Sequence, residues 1–121
     1  MEIFVLLAQG VLAIIFVYFG ALKMFLPQEK IVKRVSWGND YPARTLKLFG
    51  FLEFLGGLGI ILPDLLGIYP ILTPMAATGL ALTMSGASIV HLKRDEFEMI
   101  LVNLFLMFIS AGIGFYRLLE M

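Results

Sequence analysis

Four apolar runs, each close to the length that crosses a bilayer, are separated by short segments holding nearly all of the charge: about Ile3–Phe25, Leu46–Leu62, Pro74–Val90 and Met99–Tyr116. A transmembrane helix needs roughly 20 mostly apolar residues. A soluble domain of 121 residues buries only about two-thirds of its unfolded surface, so it could not hide a chain that is 60% hydrophobic. The chain is therefore read as an all-α membrane protein, an antiparallel transmembrane four-helix bundle forming a single integral membrane domain over residues 1–121. The second and third runs are short, which predicts spans that stand upright or draw flanking polar residues inward.

Prolines punctuate the runs. Pro27 is expected to close the first helix and Pro63 the second, because proline cannot continue a helix and restricts the residue before it. Thr73 reads as an N-cap with Pro74 at the first helical position. Residues 27–44, "PQEKIVKRVSWGNDYPAR", set Ile31, Val32 and Val35 beside Lys30, Lys33 and Arg34, with Trp37 and Tyr41 following. That pattern predicts a cytoplasmic interfacial segment anchored by aromatic rings, open to docking a partner or lipid or simply resting on the membrane. The first run lacks a basic leader and a small-residue cleavage site, so it reads as a retained helix.

Orientation follows from the cations. Lys23, Lys30, Lys33, Arg34, Arg44, Lys47, Lys93 and Arg94 fall on the side of loops 1–2 and 3–4, and only Arg117 falls on the other. The positive-inside rule then places both loops in the cytoplasm and both termini outside.

Several chemistries are excluded. No cysteine means no disulfide, thiolate nucleophile or thiolate metal site, and zero formal net charge gives no sign of a nucleic-acid partner. One histidine among scattered carboxylates makes no metal-ligand pattern. No haem-ligand pair or flavin fingerprint is present, so no cofactor is encoded by a motif.

Residues three or four apart share a helix face. Gln9, Ala13, Phe16, Gly20 and Lys23 align on the first span, and Phe49, Gly50, Glu53, Gly56, Gly57 and Ile60 on the second. Ala77, Ala81, Ser85, Ser88 and His91 align on the third, and Asn103, Met107, Ser110 and Gly114 on the fourth. Small residues permit close approach of helices in lipid, so Gly20, Gly50, Gly56, Gly57, Ala77 and Ala81 are the expected packing positions. Glu53, near mid-membrane and flanked by glycines, must face a neighbouring helix. A charge at a helix centre costs roughly 2.5–3.5 kcal/mol unless partnered or neutralised. Lys23 is the leading partner, with His91 and Asn103 as hydrogen-bonding candidates and Ser85 and Ser88 completing a polar cluster on the cytoplasmic side. Lys47, about 120° round the helix from Glu53, is expected to snorkel to headgroups. The cluster reads either as a ligand or proton site or as a structural pair fixing helix register.

At these positions the sequence resembles the DoxX-like family. "FVYFGALKMF" is similar to its first-helix motif, "RTLKLFGFLEFLGGLGIILP" to its second-helix pattern, and "LTPMAATGLALTMSGASIVHLKRDE" to its third-helix segment. The resemblance spans about Phe4 to Tyr116 and marks Gly20, Lys23, Gly50, Glu53, Gly56 and His91. It implies a small four-span protein of a prokaryotic cytoplasmic membrane. Family members include subunits of an archaeal thiosulfate:quinone oxidoreductase and an assembly factor for acetylcholine-gated channels. The implied role is a non-catalytic accessory or ligand-binding subunit, with quinone or lipid as candidate ligand and a membrane protein or second copy as candidate partner. The alternative is a small proton-coupled transporter using Glu53. An enzyme using Glu53 or His91 as a base ranks below both, since no nucleophile or electrophile accompanies them. If the orientation is right, a C-terminal fluorescent fusion stays dark outside the cytoplasm; bright fluorescence inside the cell overturns it.

Overall fold

The computed structural model describes all 121 residues and contains six helices: α1 (Glu2–Phe25), α2 (Gln28–Ile31), α3 (Ala43–Gly59), α4 (Leu62–Leu66), α5 (Leu72–Lys93) and α6 (Phe97–Glu120). Four helical stretches are long and apolar enough to cross a membrane: α1, α3 continued into α4 (Ala43–Leu66), α5 and α6.

The breaks follow backbone chemistry. Leu26, before Pro27, adopts an extended conformation and ends α1. Pro42 caps the start of α3. Pro63 acts differently from the sequence expectation. Continued as one helix, its ring would clash with the carbonyl four residues back, at Gly59, where α3 ends. Pro63 then sits in the first turn of α4, where its missing N–H costs nothing. Thr73 is not an N-cap: α5 begins at Leu72 after Ile71, and the buried Thr73 hydroxyl has no hydrogen-bond partner.

Two pairs, α1 with α3 and α5 with α6, are joined through α3 and α5, and α1 and α6 close the ring. Between α1 and α3, Gln9 meets Ile60, Val17 meets Gly57, and Gly20 meets Gly50 and Phe54. Numbers rise along one helix as they fall along the other. The same opposed order holds for α3 with α5 (Gly56–Leu80, Gly59–Ala76) and for α5 with α6 (Ser85–Met107, Ala77–Gly114). One end of the bundle thus carries residues 26–42 and the α5–α6 turn (the loop face). The other carries α4 and both chain ends (the terminal face).

Leu12, Ala13, Phe16, Ile60, Ala77, Leu80, Met84 and Ile113 form the central core. Long apolar side chains such as Phe4, Ile14, Leu82, Phe105 and Phe108 point outward, as lipid-facing surfaces require. A second core at the loop face joins Leu22 and Leu46 to Ile31, Val35 and Trp37. The connector's apolar stripe is therefore turned into the bundle end, where Trp37, Tyr41 and Phe49 pack edge to face. Gln28 fastens it, donating to the carbonyls of Gly38 and Tyr41.

The backbones of α1 and α3 come into close contact at Gly20 and Gly50. A Cβ at Gly20 would stand 2.6 Å from the Gly50 carbonyl oxygen, and one at Gly50 2.6 Å from that of Gly20. Neither backbone can yield without separating α1 from α3. Gly20→Ala or Gly50→Ala is expected to destabilise the protein by about 1–3 kcal/mol, the usual range for overpacking. Gly79→Ala and Gly112→Ala, where a Cβ meets nothing within 4 Å, should be nearly neutral in the same detergent melts; equal behaviour of both pairs would refute the contact.

Candidate functional site

Gly50 and Gly20 bring α1 close enough to α3 for Lys23 to reach Glu53. The Lys23 stem crosses α3 beside Gly50, its Cβ occupying space a side chain at position 50 would need. Its Nζ then donates to Glu53 Oε1 at 2.7 Å, and both side chains are buried. The ammonium also stands 4.9 Å from the centroid of the Trp37 ring, supplied by the connector. Its charge is thus held between a carboxylate and an aromatic face. The other carboxylate oxygen, Glu53 Oε2, is buried with no partner.

The remaining residues of the expected polar cluster do not converge on this pair. His91 is buried but turns to the α5–α6 turn, its Nδ1 3.0 Å from Glu96 Oε1. Ser85 and Ser88 bond back to the carbonyls of Ala81 and Met84 on their own helix, a habit of serine inside helices. Ser85 also contacts Met107 Sδ and borders an outward groove of about 320 Å³ between α5 and α6. Asn103 is buried facing inward, yet its Nδ2 has no partner. Among the packing positions, Gly57 meets Val17, Gly56 meets Leu80 and Ala77 meets Gly114, whereas Ala81 lines that groove.

At the loop face Glu96 accepts from Arg94, and Arg94 bonds both oxygens of Asp40 at 3.0 Å, tying the connector to the α5–α6 turn. Hydrogen bonds from Ser36 and then His91 hold the Glu96 carboxyl below its ordinary value, and the bond to Asp40 raises Arg94 above its own.

Sequence reasoning passed over a second buried cluster on the terminal face. Arg117 is almost fully buried and bonds Gln9 Oε1 through Nε and Nη2, Glu2 and Glu120 through Nη1, and stands 3.1 Å from Asp64. Gln9 completes the knot by donating to Asp64 Oδ2 and to the Ile60 carbonyl, each at 2.6 Å. That carbonyl lies at the α3–α4 break and would otherwise lack a partner inside the bundle. The signal was present: Arg117 continues the inward stripe of Asn103, Ser110 and Gly114 by three residues.

The model of the DoxX-like family matches residues 7–113. No curated protein matches the chain. No solved structure matches it either.

Removing one member of a buried pair strands the other at a cost of about 3–5 kcal/mol, whereas removing both can be near neutral. Lys23→Met is therefore expected to lower stability far more alone than in combination with Glu53→Gln. A thermal-melt double-mutant cycle in which the two effects simply add would disprove the coupling.

Proposed function

The chain belongs to the DoxX-like family, and from that premise we propose that it is a non-catalytic membrane subunit that binds a lipid-soluble ligand or a partner helix at the Lys23–Glu53 pair. It acts by binding and not by making bonds. The observation that carries this reading is the unpartnered buried oxygen at the pair itself, Glu53 Oε2. A buried carboxylate oxygen without a hydrogen bond is costly, so a complementary donor there would be favoured. A ligand that donates to Glu53 Oε2, as the hydroxyl of a quinol head group can, meets that chemistry. Opening of the aromatic plug around Trp37 is the entry step, since that plug covers the ammonium.

The second reading, a proton-coupled transporter, is less well supported. It needs Glu53 exposed to each side in turn, and the backbone contact of Gly20 with Gly50 fits one packed arrangement. We place the loop face in the cytoplasm, on the bias of its cations.

Native mass spectrometry of the full chain released gently from its membrane tests the proposal. A co-retained small molecule or partner subunit is expected with the wild type and lost in Glu53→Gln, while the variant stays inserted and folded. A bare chain in both samples, or retention indifferent to Glu53, overturns it.

A further inference from the structure

The loop face divides into two electrically different halves. Beside α1 and α3 stand five exposed cations, Lys30, Lys33, Arg34, Arg44 and Lys47, against two exposed carboxylates, Glu29 and Asp40, of which Asp40 is bound to Arg94. None of the five takes part in an ion pair. Around the α5–α6 turn the balance reverses: Lys93 is accompanied by Asp95 and Glu98, and Arg94 is consumed by Asp40 and Glu96. The terminal face exposes Glu2 and Glu120 and buries its one cation, Arg117.

The five cations are also positioned for the bilayer. Because the connector's apolar stripe faces inward, its outward surface is left to Lys30, Lys33 and Arg34. Arg34 folds back toward α1. Its Nη1 donates to the hydroxyl of Tyr18, an exposed residue of α1 seven positions before the helix ends at Phe25. At 1.5 Å per residue, that hydroxyl's backbone lies roughly 10 Å below the end of the helix. A lipid-facing tyrosine thus draws the guanidinium from the loop face toward the bilayer side of α1. Lys47 is likewise held at the rim, donating to the Met24 carbonyl in the last turn of α1.

We propose that this half of the loop face is a docking surface for the phosphate of an anionic phospholipid, with Arg34, set by Tyr18, as its principal contact. Guanidinium presents a planar fork of donors that fits phosphate oxygens, and the surrounding cations add attraction to negatively charged headgroups. The contact is independent of Glu53, and it ties anionic lipid to the connector whose inner side covers the Lys23–Glu53 pair.

The full chain is reconstituted in nanodiscs of phosphatidylglycerol mixed with phosphatidylcholine, released, and the co-retained lipid counted by native mass spectrometry. Phosphatidylglycerol should be retained preferentially. Arg34→Gln should reduce that preference about fivefold, the factor for one cation near an anionic surface. Tyr18→Phe should reduce it without altering charge, Lys93→Gln should leave it unchanged, and all variants should melt with the wild type. Equal retention of the two lipids overturns the proposal. So does an equal loss with Arg34→Gln and Lys93→Gln, which would reduce the effect to net charge. Arg34-dependent capture of an acidic protein segment, with lipid retention unaltered, also overturns it.

Discussion

The bundle depends on one contact, the apposition of Gly20 and Gly50. In lipid, apolar side chains gain nothing by leaving the solvent, so helices associate through close packing and polar bonds. With no Cβ on either residue, the backbones of α1 and α3 touch, and that proximity lets the Lys23 stem lie across α3 and end on Glu53. Packing and electrostatics here are one device. Separate the helices by the width of a methyl group, and a carboxylate and an ammonium are left in a medium that solvates neither.

Polar groups then bracket a largely apolar middle. Toward the loop face stand the ion pair, the aromatic plug and the Asp40–Arg94–Glu96 link; at the terminal face, Arg117 gathers α1, α4 and α6. Between them the core is apolar, with Phe16 and Met84 among aliphatic side chains and the unpartnered Ser110 hydroxyl buried nearby. The two ends do different work. The Arg117 knot satisfies its guanidinium from four residues and supports the broken turn at Ile60. The Glu53 end leaves a carboxylate oxygen unused, and it lies beneath a segment held by side-chain bonds instead of a long helix. The proposed function rests on the Glu53 end because the unused oxygen there belongs to a charged group, whereas the terminal face leaves only the neutral Thr73 hydroxyl unpartnered.

The connector has a double character. Its inner side chains fill the bundle mouth, and its outer ones form the basic half of the loop face. Amphipathic patterning of Ile31, Val35 and Trp37 against Lys30, Lys33 and Arg34 suits a segment lying on a membrane and equally one plugging a bundle, because both present an apolar floor under a charged roof. Only the position of α1 and α3 distinguishes them.

The sequence by itself determined the class of the protein: continuous apolar runs set four membrane-length helices, and their spacing set the inward stripes from Gln9 to Lys23 and from Gly50 to Ile60. It also named Lys23 as the partner of Glu53, since depth and helix face are nearly one-dimensional quantities that the order of residues carries. What tertiary structure alone decided was how side chains choose among nearby partners. His91 turned to Glu96 five residues away, the serines bonded their own helix, and Arg117 found Gln9 and Asp64 across 108 and 53 positions of chain. A stripe says which way a residue faces, but a hydrogen bond needs a partner within about 3 Å. That distance is fixed only when four helices have settled their rotations and heights against one another.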